Sequence, residues 1–99
     1  MKKRYHVFVE GWVQGIGFRG FCMLRAQRYH LTGSVRNLPN GTMVEIYVQG
    51  EDSDIDKFLA DIEKGDRFIR VDNISVKPTA LIEGEKILLW SRMVIPSCF

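Results

Sequence analysis

From Tyr5 to Tyr29 the apolar residues change their period, and the change falls on a run of glycines. Tyr5, Val7 and Val9 alternate with His6, Phe8 and Glu10, the period of two expected of a half-buried strand over residues 5–10. Beyond the glycines at positions 11, 15, 17 and 20, Phe18, Cys22, Ala26 and Tyr29 recur at helical spacing with Phe21 alongside. That spacing predicts a helix over residues 18–31, punctuated by Gly33. A strand pattern that runs through a glycine loop into a helical pattern points to a fold that mixes strands and helices.

The same reading continues along the chain. A short strand at residues 34–38, the turn Leu38-Pro39-Asn40-Gly41 and a longer strand at 43–49 form a hairpin, signalled by Asn-Gly. A second helix is expected over residues 53–64, with Ser53 as N-cap and an inner stripe of Ile55, Phe58, Leu59 and Ile62. Gly65 follows it. Strand patterns return at residues 69–77 and 86–93, joined by a 78–84 connection. The order is β-α-β-β-α-β with an additional C-terminal strand. This is an α+β, ferredoxin-like sandwich, an antiparallel sheet with two helices on one face. In that topology the first and second strands run parallel with the third between them. The loop at residues 15–20 then shares one edge of the sheet with Asn37, at the end of the second strand.

The glycine loop carries chemistry as well as topology. Free N–H groups at a helix start and the positive end of its dipole favour an anion. Arg19, in the first turn, adds a planar fork suited to phosphate. Gln14, Gly15, Ile16, Gly17, Phe18 and Arg19 are the expected phosphate cradle.

Composition narrows the field further. Ninety-nine residues make a single domain over 1–99, and 14 basic against 12 acidic residues give a net charge of only +2. That balance suits a small anionic substrate and argues against nucleic acid or a membrane as partner. Cys22 and Cys98 show no metal or redox spacing. Residues 2–4 lead into an alternating strand rather than an apolar leader segment, so a reducing, cytoplasmic setting is expected. His6 and His30 stand far in sequence from any carboxylate or cysteine cluster, and no metal site is expected.

Two segments resemble the motifs of the acylphosphatase family. Gly11-Trp12-Val13-Gln14-Gly15-Ile16-Gly17-Phe18-Arg19 is similar to its first motif, Gly-x-Val-Gln-Gly-Val-x-Phe-Arg. Gly33-Ser34-Val35-Arg36-Asn37 with Gly41 is similar to its second. Phe58, Leu59 and Gly65 also fall where the family has them. Two departures stand out: Ser34 replaces an aromatic residue, and the segment from Gly41 to Gly50 is one residue longer, with Thr42 or Met43 as the extra residue. The resemblance implies a monomeric enzyme without metal or other cofactor that hydrolyses the carboxyl-phosphate bond of small-molecule acyl phosphates. It also implies that Arg19 and Asn37 are catalytic, Arg19 holding phosphate and Asn37 positioning the attacking water. The residues agree chemically. Phosphoryl transfer relies on placement and charge stabilisation, and a carboxylate leaving group needs little help from an acid.

Other readings of the same letters are weaker. Residues 15–20 read Gly-x-Gly-x-x-Gly, but the acidic residue a dinucleotide site needs is replaced by Asn37 and Asn40. Residues 35–39 resemble the shorter motif of RNA-binding domains, with Phe8, Tyr47 and Trp90 as possible stacking residues, but the partner motif is missing around residues 66–71. A carbamoyl-phosphate-handling or non-catalytic phosphate- or nucleic-acid-binding module on the same fold is the alternative. Cys22 reads as a buried small hydrophobe, and Gln14 as a shaper of the loop.

Overall fold

The computed structural model describes residues 1–13, 17–65 and 69–82. Six elements follow in the order β1 (Lys2–Trp12), α1 (Phe18–Arg28), β2 (Thr32–Asn37), β3 (Met43–Glu51), α2 (Asp52–Lys64) and β4 (Arg70–Thr79). The four strands form one sheet in the order β2-β3-β1-β4. All neighbours are antiparallel, so β1 and β2 run the same way with β3 between them. The expected strand at residues 86–93 and the tail at 94–99 lie outside the described residues.

Alternation decides which side of the sheet is dry. Val7, Val9, Val35, Val44, Ile46 and Val48 face the helices and are fully buried. They meet Phe18, Cys22 and Ala26 of α1 and Ile55, Phe58 and Ile62 of α2 in one core. The two helical stripes read from the sequence are therefore the packed ones, while Leu59 and Tyr29 sit at the margin of the core. Tyr29 turns its hydroxyl to donate to Asp61 Oδ2 at 2.7 Å, and Arg25 reaches the same carboxylate at 3.8 Å, tying α1 to α2.

β1 and β3 run longer than expected, and four further boundaries differ for local reasons. Helix α1 stops at Arg28, three residues early, because His30 takes the left-handed conformation at φ 57. The amide of Leu31 then donates to Ala26 O at 2.8 Å and that of His30 to Gln27 O at 3.2 Å, a Schellman closure with histidine where glycine is usual. Gly33 thus belongs to β2 rather than to the helix end. The N-cap of α2 is Glu51, which places Ser53 inside the helix. Finally, β4 continues through Pro78 and Thr79, which were expected in a connection. Proline is tolerated there because β4 is an edge strand of the described sheet.

The β2–β3 hairpin is regular up to its tip. Register runs unbroken from Thr32↔Gln49 to Asn37↔Val44. Residues 39–42 form the loop, closed by the Leu38 amide on Met43 O at 2.9 Å. Asn40 Oδ1 accepts from the amides of Thr42 and Met43, both at 3.1 Å, an Asx-type turn that holds the two residues in which the extra length was expected.

Candidate active site at the β1–α1 turn

Parallel β1 and β2 end at the same edge of the sheet. Cross-strand pairs Asn37↔Val44 and Val44↔Val9 put Asn37 in one row with Val9, three residues before the end of β1. The hairpin tip is tied to that end as well: the Gly11 amide donates to Thr42 O at 3.0 Å. Helix α1 begins at this same edge and packs against β2.

The start of α1 has an unusual composition. Its N-cap is Gly17 at φ 83, ψ 12, which supplies no side chain to the helix amides. Its first turn contains no acidic residue, and the second helical position is Arg19, half-buried. Only the first intrahelical bond, Phe21 amide to Gly17 O at 2.9 Å, opens the ladder. The amides before it belong to the set that no helix can satisfy internally. A helix start without acid, joined by a guanidinium, presents net positive potential.

Asn37 is the last residue of β2, and the alternation of that strand puts it on the helix side with Val35. Its Oδ1 is buried and has no hydrogen-bond partner among the described residues. Buried acceptors are nearly always paired, so an orphan of this kind at the sheet edge is a candidate position for a water or a ligand.

The residues expected in the cradle divide into three groups. Gln14, Gly15 and Ile16 lie outside the described residues. Gly17 and Arg19 stand at the helix start. Phe18 is 1% exposed and belongs to the core, tilted against Phe21 with ring centroids 6.4 Å apart; its backbone alone is available to a ligand.

Gly11 is not part of the loop. It faces the bulge of β4, where Gly11 pairs with Val71 and Glu10 with Asn73. At its φ of 144 an added Cβ would stand 2.2 Å from Arg70 O. The first glycine of the motif therefore lets β4 approach β1.

Sequence reasoning missed one charged group nearby. Glu45, opposite Arg36 in β3, accepts from Arg36 Nε at 2.6 Å, and its other oxygen lies 2.8 Å from His6 Nε2. His6 is thus close to a carboxylate after all, because β1–β3 pairing joins residues 39 apart in sequence. Burial raises the Glu45 carboxyl, but hydrogen bonds from His6 and Arg36 and the Arg36 charge together bring it below its ordinary value. His6 stacks on Tyr47 with centroids 4.2 Å apart, and the Arg4 guanidinium lies over the same ring at 5.1 Å. The Tyr47 ring is therefore engaged within the protein. Among the described residues no three His, Cys, Asp or Glu side chains gather as a metal site. Burial pushes the Cys22 thiol well above its usual range, consistent with a packing role. No described helix is long and apolar enough to cross a membrane.

Comparison with known proteins agrees with this architecture. The acylphosphatase family model matches residues 5–86. An acylphosphatase of Clostridium acetobutylicum is 44% identical over 87% of this chain and 93% of its own. The crystal structure of the Bacillus subtilis acylphosphatase superposes with a TM-score of 0.79 at 35% identity, covering 87% of this chain and 93% of that one. A crystal structure of full-length HypF, in a phosphate- and nucleotide-bound form, contains a similar unit: TM-score 0.74 at 32% identity, over 84% of this chain but 11% of HypF. The fold is a ferredoxin-like α+β sandwich of the kind seen in acylphosphatase structures. By motif, sequence and structure, the chain belongs to the acylphosphatase family.

Proposed function

We propose that this protein hydrolyses the carboxyl-phosphate bond of small acyl phosphates, giving a carboxylate and inorganic phosphate. The observation that carries the reading is the orphaned Asn37 Oδ1 at the sheet edge where the uncapped start of α1 lies. In this reading Arg19 and the amides of residues 14–19 hold the phosphoryl oxygens. Asn37 Oδ1 accepts a hydrogen bond from the attacking water, which directs the water lone pair at phosphorus. The P–O bond to the acyl group breaks, and the leaving carboxylate departs with the electron pair. The water proton passes to a phosphoryl oxygen of the substrate. Stabilisation comes from fixed charge and dipoles, so no metal is assigned a role.

Benzoyl phosphate hydrolysis followed in the ultraviolet tests this directly. Asn37→Ala is expected to lower kcat by about 10²–10³, the cost of one positioned group. Its affinity for inorganic phosphate, measured by competitive inhibition, stays near that of the parent protein. Near-normal turnover by Asn37→Ala would remove the water-positioning role. A protein that binds phosphate yet leaves benzoyl phosphate intact would be a binding module instead. Loss of activity with EDTA would overturn metal independence.

A further inference from the structure

We propose that Glu45 is a positioning residue for Asn37, acting through Arg36; this rests on the catalytic role of Asn37 proposed above. The Glu45 side chain is only 12% exposed and its two oxygens serve different strands. One accepts from Arg36 on β2 at 2.6 Å; the other meets His6 on β1 at 2.8 Å. A single carboxylate on the middle strand thus fastens both of its neighbours.

The clamp sits beside the residue that needs it. Arg36 stands directly opposite Glu45 and is bonded in the chain to Asn37. Asn37 ends β2, and the next residues enter the hairpin loop. Its carboxamide oxygen has no partner of its own among the described residues, so nothing attached to that atom fixes where it points. Its aim depends on the backbone of residues 36–37, and a carboxylate that immobilises Arg36 immobilises that backbone. Catalytic groups are held by such supporting contacts, and a small misplacement is enough to lose rate. His6 is itself fixed by stacking on Tyr47, which makes the far end of the clamp rigid.

An alternative role for the pair is purely electrostatic. Arg36 is 57% exposed and could draw phosphate toward the edge by charge alone. The two roles separate in steady-state kinetics. A positioning role lowers kcat and leaves KM unchanged, whereas loss of attraction by Arg36 raises KM.

The experiment is a double-mutant cycle with benzoyl phosphate. Glu45→Gln is expected to lower kcat about 10-fold, below the roughly 10² of a full misplacement, with KM unchanged. Arg36→Gln, at a mostly exposed site, should match it and carries the test if Glu45→Gln fails to fold. In an Asn37→Ala background, neither change should lower the residual rate further. A full-rate Glu45→Gln enzyme beside a crippled Asn37→Ala enzyme overturns the positioning role alone. So does an equal 10-fold loss in both backgrounds, or an effect confined to KM. A full-rate Asn37→Ala enzyme overturns the underlying reading instead.

Discussion

The two described helices begin in opposite ways. Helix α2 has Glu51 at its N-cap and Asp52 and Asp54 in its first turn. Helix α1 has Gly17 at its N-cap, no acid in its first turn, and Arg19. Gly17 has no side chain to cap α1 and that of Glu51 does not bond into α2, so the contrast is one of charge. The other ends agree: Arg25 and Arg28 close α1 and Lys64 closes α2, the sign the macrodipole favours. Among the described helix ends, the start of α1 alone breaks the rule. Because β1 and β3 are antiparallel, the two starts lie at opposite ends of the sheet. At the α2 end, acids are matched by the chain's own cations: the N-terminal amine meets Glu51 at 2.8 Å and Lys3 meets Asp52 at 3.5 Å. A local rule broken at one helix start and kept at the other is what the proposed phosphate site at α1 would require.

Charge substitutions at the two ends should therefore behave differently. Arg19→Ala is expected to lose phosphate binding and turnover together, by at least about 10²-fold in kcat/KM. Asp54→Ala, in the first turn of α2, should leave both unchanged and cost about 0.3–1 kcal/mol of stability in chemical denaturation. Comparable activity losses from both would dissolve the contrast. Gly20, in the first turn of α1, offers a finer test, since an added Cβ there meets nothing within 4 Å. Gly20→Asp gives α1 the acid that α2 already has. It should stabilise the fold while raising KM about 10-fold, the equivalent of about 1.4 kcal/mol of repulsion. Gly20→Ala is the control: a gain of about 0.5–1 kcal/mol by denaturation with KM unchanged.

The smallest expected effect concerns Glu45. Its carboxyl titrates lower in the folded protein than its ordinary 4.5, so it contributes stability above that pH. The contribution is lost as pH falls through the depressed folded value. Acid denaturation should consequently be steeper below pH 4.5 in the parent protein than in Glu45→Gln, measured by circular dichroism.

Element order and core were legible in the letters, because period and punctuation both report burial. Val7, Val9, Phe18, Cys22, Ala26, Ile55, Phe58 and Ile62 are core as their spacing required. The end of α1 was not legible, since the left-handed position carries His30 where glycine is the usual signal. Ser53 has the chemistry of a cap but not its place; the chain turns at Glu51 instead. The ends of β1 and β2 share one edge as the parallel arrangement demands. The Arg36–Glu45–His6 cluster was hidden because it depends on register across two strand pairs. The expectation of an extra residue between Gly41 and Gly50 left that register open, and the pairing from Thr32↔Gln49 to Asn37↔Val44 settles it.

Gly11 carries a lesson for anyone surveying variants of this domain by growth or display. Its replacement drives a methyl group into the carbonyl of Arg70, so nearly every substitution there will score as harmful as one at Arg19. The two kinds of damage part company in soluble yield. Lesions at position 11 should deplete the amount of protein recovered, whereas those at position 19 should leave abundant but idle molecules.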